Sequence, residues 1–182
     1  MDAQIFYEAE YNSTLKHLIA HVVNTEGPVR ADVLAKRIAR VHGWARTGAR
    51  IQSRIIGLAQ RTYPTSEEGV GLFYWPMGSD TSHFSVFRHP CNEIARPVDE
   101  IALPELISLA CELRVQHFED EDAISAMAHA VGLRKLRTAS RSRLSRAWTD
   151  SATYNEELYE FLAFGSRWRQ ETFYRVWRYI KN

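Results

Sequence analysis

The stretch EGPVRADVLAKRIARVHGWARTGARIQSRI, Glu26 to Ile55, sets a turn, a helix, a glycine break and an arginine-bearing second helix in close succession. After Gly27-Pro28 breaks the chain, Val33, Leu34, Ile38 and Val41 recur at helical spacing as far as His42-Gly43, where glycine supplies a C-terminal stop. A second helix begins near Thr47. Its apolar Ile51, Ile55 and Leu58 fall at i, i+4 and i+7, leaving Arg50, Ser53, Arg54, Gly57 and Arg61 to the other side or the flanks. This order predicts a helix-turn-helix with one packing face and one face of guanidinium groups.

Working outward, Leu15, Leu18, Ile19, Val22 and Val23 form an earlier helical stripe with Asn12 or Ser13 available as N-cap, so the unit has three helices. Downstream, the polar Pro64-Thr65-Ser66-Glu67-Glu68-Gly69 leads into Val70-Gly71-Leu72-Phe73-Tyr74-Trp75-Pro76, whose aromatic and branched content suits a strand ending at proline. Three helices followed by a hairpin predict a winged helix over residues 1–78. Its wing is expected to pair Arg61-Thr62-Tyr63 with Leu72-Phe73-Tyr74, with the acidic loop as its tip.

Residues 79–100 read as a connector, with a short strand expected over His83-Phe84-Ser85-Val86-Phe87. Residues 101–182 form a second helical, winged-helix-like unit. Pro104 suits the first helical position, with Leu106, Leu109, Ala110 and Leu113 buried behind it. The acids Glu119 to Asp122 complement the dipole of a helix carrying Ile124, Met127, Ala128 and Val131 to a stop at Gly132. A third helix runs from Leu136 to Trp148. The unit repeats the first: Ile38-Ala39 before Gly43 matches Met127-Ala128 before Gly132, and Arg50-Ile51 matches Arg143-Leu144 after a few inserted residues. No second wing follows; Thr153-x-x-Glu156 reads as a capping box opening a helix to Phe164, and Trp168, Thr172, Val176 and Ile180 mark a last, aromatic helix. The fold class is therefore mainly α with a small β wing.

A net charge of +1 averages segregated blocks. From Arg30 to Arg61 eight cations face Asp32 alone, whereas the middle of the chain sets Glu93, Asp99, Glu100, Glu105, Glu112 and Glu119 to Asp122 against Arg96 and Arg114; basicity returns from Arg134 to Arg146 and again from Arg167 to Lys181. The two cysteines, Cys91 and Cys111, have no metal or redox spacing, which points to a reducing compartment. With no apolar run long enough for a bilayer and no secretory leader pattern, a cytoplasmic location is expected.

In order and spacing, Glu26-Gly27-Pro28-Val29, Leu34-Ala35-Lys36-Arg37-Ile38-Ala39, Gly43, Arg46-Thr47-Gly48, Arg50-Ile51 and Arg54-Ile55, with Phe73-Tyr74-Trp75-Pro76 as a wing-like ending, resemble a small domain of unknown function. That domain is found near the C-terminus of large bacterial superfamily-1 helicase-like proteins, often beside a restriction-endonuclease-like module. The resemblance implies association with nucleic-acid-processing machinery and brings no catalytic residue with it. The helicase's G-x-x-x-x-G-K-[ST] phosphate loop does not occur in the chain, nor does any lysine stand two residues after an acid as a restriction-type nuclease motif requires. The chain reads as an excised fragment or a stand-alone relative, non-catalytic and without cofactor or metal.

Arg46, Arg50, Arg54 and Arg61 are expected to neutralise phosphates, Thr47 to donate to one, and Gln52 or Ser53 to reach a base edge. The competing reading pairs these arginines with the acidic middle of the same chain. Tyr74 and Trp75 are candidate wing contacts that stack on an unpaired base, or else close a core edge. His83, His89 and Cys91 lack the third and fourth partners zinc requires. Two functions follow as expectations: an accessory DNA-binding module of a helicase-nuclease system, or a protein-docking module that binds the helicase body or a second copy of the chain.

Overall fold

A computed structural model of the chain describes residues 4–82, 86–90 and 95–164, with side chains as far as Tyr154. A 3-10 turn, Ala9–Tyr11, leads into α1 (Asn12–Glu26). Then follow β1 (Val29–Arg30), α2 (Ala31–Val41), α3 (Ala49–Ala59), β2 (Thr65–Glu68) and β3 (Gly71–Tyr74). A further 3-10 turn, Val98–Glu100, precedes α4 (Leu103–Val115), α5 (Asp120–Ala130) and α6 (Thr138–Phe164). The described chain is mainly helical, with one antiparallel three-stranded sheet in the order β1-β3-β2.

Chemistry at the opening stretch explains its path. The Gly27 N–H bonds the Val23 carbonyl at 2.9 Å and ends α1. A side chain at Gly27 would start 2.8 Å from the Pro76 ring and closer still to the Val23 carbonyl oxygen, so only glycine lets β1 leave α1 this tightly against the end of β3. Val29 then pairs with Tyr74 and Arg30 with Phe73.

The hairpin corrects the expected wing. Thr62 and Tyr63 both send their N–H groups to the Ala59 carbonyl at 3.0 Å, so Arg61-Thr62-Tyr63 is a turn unwinding from α3. The acidic segment placed at the tip is itself strand β2, paired from Thr65 with Tyr74 to Glu68 with Gly71, and the hairpin turns on Gly69 and Val70.

Burial follows the helical stripes with one exception. Leu15, Ile19 and Val23 of α1, Leu34 and Ile38 of α2, and Ile55 and Ala59 of α3 meet in one core. Val41, expected on that stripe, is 66% exposed at the last turn of α2, where the chain leaves the core. Leu106, Leu109 and Ala110 of α4, Ile124 and Met127 of α5, and Leu144, Ala147 and Trp148 of α6 form a second core, which Phe87 and Val98 of the intervening segment join. Each fully buried aliphatic or aromatic side chain contributes about 1.5–3 kcal/mol.

The capping box at Thr153 does not open a helix; α6 runs through it. Hydroxyls just before it bond backward inside the same helix, Thr149 to the Ser145 carbonyl at 3.0 Å and Ser151 to the Trp148 carbonyl at 2.7 Å, instead of capping a new N-terminus. The aromatic helix expected from Trp168 lies outside the described residues, as do His83, Phe84 and Ser85 of the expected short strand; Val86 and Phe87 are not in a strand.

The repeat is tighter than the sequence comparison gives. Ala31–Val41 recurs as Asp120–Ala130, Ala9–Tyr11 as Val98–Glu100, and the first residues of α3 and α6 are Ala49 and Thr138, each displaced by 89 residues. Gly43 and Gly132 both sit at φ 77°. After each, one N–H returns to the preceding helix, Trp44 to the Ala39 carbonyl at 3.0 Å and Leu133 to the Ala128 carbonyl at 2.9 Å. The partner of Arg143-Leu144 is thus Arg54-Ile55, not Arg50-Ile51, and no residue is inserted.

Polar contacts join the halves. Arg30 donates to the Asp99 carboxylate at 2.6 Å. Glu68, at the end of β2, accepts from the Leu103 N–H at 2.8 Å at the start of α4 and pairs with Arg143 of α6. Arg88 holds the fully buried Glu105 while donating to the carbonyls of Glu26 and Pro28. Between them, Phe73 and Trp75 pack on Ala102.

Candidate nucleic-acid interface

The turn from α2 to α3 is built by an aromatic cluster. Phe6 meets the Trp44 ring edge-on at 4.8 Å and the His42 ring at 5.2 Å, and His42 stacks on Trp44 at 5.2 Å. His42 Nδ1 lies 2.7 Å from the Ile38 carbonyl oxygen, which requires a proton on Nδ1, and Nε2 lies 3.1 Å from the Tyr11 hydroxyl. These contacts hold the loop carrying Arg46 and set the direction in which α3 departs.

At 3.6 residues per turn, Arg50, Ser53 and Gly57 share one side of α3, opposite the buried Ile55 and Ala59, and Arg61 follows in the turn after the helix. Arg46, Arg50, Ser53 and Arg61 are exposed. No atom from elsewhere in the fold lies within 4 Å of where a Gly57 side chain would begin, so the centre of that face is low and open. Thr47 is half-buried in the turn, and Gln52, half-buried, points toward the packed flank away from the Arg50–Gly57 face. Arg50 and Ser53 thus lie on the exposed side of α3, with exposed Arg46 in the turn before the helix and exposed Arg61 in the turn after it, and Gln52 lies aside.

Two expectations are corrected. Arg54 does not offer its charge outward: Nη2 donates to the Glu8 carbonyl at 2.6 Å and the Asn12 side chain at 3.0 Å, tying α3 to the start of α1. Arg143 does the same in the second half, reaching the Val98 carbonyl at 3.2 Å and the Ile101 carbonyl at 2.6 Å beside the equivalent 3-10 turn. Tyr74 and Trp75 are fully buried, so no base can stack on them. The Trp75 indole donates to Ser66 at 2.8 Å and the Tyr74 hydroxyl to the Ile56 carbonyl at 3.3 Å. The aromatic beside the basic face is instead Tyr7, with the Arg50 guanidinium 4.1 Å from its ring centre. Its only signal in the sequence is an aromatic cluster, Phe6, Tyr7 and Tyr11, ahead of the first helix.

Electrostatics separate this face from the acidic middle. Asp99 engages Arg30; Glu105 engages Arg88 and Arg96, at 2.7 and 2.6 Å; Glu121 engages Arg141 at 2.7 Å. Asp32, the one acid in the sequence between Arg30 and Arg61, takes Arg30 and Lys36 at 2.6 and 2.7 Å. Burial alone would raise the Asp32 carboxyl, but the hydrogen bonds from Arg30 and Lys36 outweigh it and hold it at about 2. Burial opposes the charge of Glu105 too, and its two arginines reverse that effect and lower it. Among the described residues no acid forms an ion pair with Arg46, Arg50 or Arg61.

A cleft of about 290 Å³ opens between the halves beside Glu26, Arg37, Arg88, Arg96 and Glu100. Arg37 answers Glu26 there at 2.9 Å, and Arg88 and Arg96 answer Glu105, so its charges are matched within the fold. No group of three potential metal ligands occurs among the described residues; His89 faces Glu112 at 3.2 Å, and His83 and Cys91 lie outside them. Nor is any described helix long and apolar enough to cross a membrane.

Residues 4–53 match a family, DUF3320, described as a protein of unknown function. The match takes in roughly a quarter of the chain, from the aromatic turn through α1, β1 and α2 to the first residues of α3, and so includes Arg46, Arg50 and Ser53 but neither Arg61 nor the hairpin. No curated protein and no solved structure matches the chain.

Proposed function

We propose that the chain is a non-catalytic accessory module that docks α3 and the turn before it on the phosphate backbone of duplex DNA. The observation that carries this reading is a cationic face, Arg46, Arg50 and Arg61, left without an acidic partner among the described residues while the acidic middle is spent on Arg30, Arg88 and Arg96. The element order α1-β1-α2-α3-β2-β3 supports reading the first unit as a winged helix, with α3 as its recognition helix. Ser53 and the bare surface at Gly57 permit close approach to a groove, with the Ser53 hydroxyl as the group nearest a base edge. The wing does not take part in this scheme, because Glu68 and Trp75 hold it against the second half. The setting within a helicase-nuclease system rests on the sequence resemblance alone.

Titration of labelled duplex and forked DNA at two salt concentrations tests the reading. Each neutralised phosphate adds about 0.9 to the negative slope of log K against log salt. The full chain is expected to show such a slope, and Arg46→Glu with Arg50→Glu and Arg61→Glu to abolish binding. Undetectable binding at low salt rejects it; a complex with the helicase body or with a second copy, formed without DNA, would favour the docking alternative.

A further inference from the structure

We infer that the turn between α5 and α6 is a second phosphate-contacting surface for the same polynucleotide, built on Arg134, Lys135 and Arg137. The inference rests on the reading of α3 given above. Its own observation is the 89-residue repeat, which gives the two turns one backbone: the same helix length before, the same left-handed glycine, and the same hydrogen bond one turn into the third helix, Gln52 N–H to the Gly48 carbonyl at 3.0 Å and Arg141 N–H to the Arg137 carbonyl at 2.8 Å. On that frame Lys135 falls where Arg46 stands in the first unit, flanked by Arg134 and Arg137 in place of Ala45 and Gly48.

Arg134, Lys135 and Arg137 are all exposed, and none forms an ion pair with an acid among the described residues. Of the acids at the start of α5, Glu121 is taken by Arg141 and Asp120 accepts from the Trp148 indole at 3.0 Å, and among the described residues none of Glu119 to Asp122 forms an ion pair with Arg134, Lys135 or Arg137. The rest of the face departs from the first unit, with Ala139 in the place of Arg50, Arg141 in that of Gln52 and Arg146 in that of Gly57; Arg146 lies 3.5 Å from Asp150. Without an open, small-residue centre the second helix cannot approach a groove as α3 can. Its turn offers charge without base contact, which is the chemistry of a positioning contact to a sugar-phosphate backbone.

The full chain should be compared with two variants, Arg46→Glu/Arg50→Glu and Arg134→Glu/Lys135→Glu/Arg137→Glu, by anisotropy of a labelled duplex across a salt series. The second variant is expected to weaken binding at least tenfold at low salt and to reduce the log-log slope by about 2.7, for three phosphate contacts, while its circular dichroism and unfolding midpoint stay those of the parent. The neutral set Arg134→Gln/Lys135→Gln/Arg137→Gln guards against misfolding and should lower the slope in the same way. If the first variant loses binding while both second-turn variants keep the parent slope, this inference is overturned and the reading of α3 stands. A parent chain that does not bind overturns both.

Discussion

Arg88 grips Glu105 with three hydrogen bonds, from its backbone N–H at 3.1 Å, Nε at 2.9 Å and Nη2 at 2.7 Å, and Glu105 is wholly shielded from solvent. Arg96 completes the site with bonds of 3.0 and 2.6 Å. Because Arg88 also reaches the carbonyls of Glu26 and Pro28, the cluster fastens α4 to the exit of α1. Both arginines keep about 30% of their side-chain surface, so they can rehydrate when the carboxylate is lost. Glu105→Ala should therefore fall near the lower end of the cost of breaking a buried pair, about 3 kcal/mol. Glu105→Gln, which keeps an acceptor, should cost about 1–2 kcal/mol. Urea unfolding at neutral pH reads both, and equal midpoints for parent and Glu105→Ala would show that the cluster does not hold the halves.

The same carboxylate makes stability depend on pH. A carboxyl whose pKa is lower in the folded state stabilises the fold above its unfolded pKa, and that contribution disappears as pH falls through the folded pKa. Asp32 is ordinarily near 3.8 and is held at about 2, so its share is complete above roughly pH 4 and gone below about 2. Glu105 is lowered as well and acts in the same direction. Unfolding midpoints measured from pH 6 down to acid should decline for the parent, and Asp32→Asn with Glu105→Gln should flatten the decline. A variant curve parallel to the parent's would remove these two groups from the account.

Neighbouring arginines on α3 should behave oppositely. Arg54→Ala strips donors from the Glu8 carbonyl and the Asn12 side chain and is expected to cost about 1–2 kcal/mol. The gain from Arg54 is held down by its own Nε, which is buried without a hydrogen-bond partner among the described residues. Arg50 is exposed above Tyr7, so Arg50→Ala should change stability by no more than about 0.5–1 kcal/mol while weakening DNA binding. Thermal melts combined with DNA titration separate the two; a stability loss at Arg50 matching that at Arg54 would mean that both belong to the fold.

How far these roles could be read in the sequence depends on how far away a residue's partners lie. The stripes of α1 and α2 and the stop at Gly43 are local, and periodicity with glycine punctuation finds them. Arg54 looked like Arg50 because its partners, Glu8 and Asn12, are 46 and 42 residues distant. Thr65-Ser66-Glu67-Glu68 looked like a loop because its composition is polar. It is a strand because β3 pairs with it and Glu68 spends its charge on the Leu103 N–H and Arg143. The repeat was visible in Met127-Ala128 and Gly132, yet its register was misread, since Arg50-Ile51 and Arg54-Ile55 are two similar pairs in one helix and only the turn geometry chooses between them.

That register leads to a comparison of the two turn glycines. At φ 77° any side chain is strained, about 1–2 kcal/mol for a left-handed residue, so Gly43→Ala and Gly132→Ala share that cost. They differ in their surroundings. A methyl at Gly43 meets nothing within 4 Å, whereas one at Gly132 would lie 2.6 Å from the Ala95 methyl, which neither backbone can accommodate without moving. Gly132→Ala should therefore add an overpacking penalty of about 1–3 kcal/mol to the shared strain. Unfolding by urea is expected to rank parent above Gly43→Ala above Gly132→Ala, and Gly132→Ala/Ala95→Gly should recover much of the second loss, because it removes the clashing methyl and leaves the strain. Equal losses at both glycines, with no recovery in the double variant, would show that the segment from Ala95 does not rest on the α5–α6 turn.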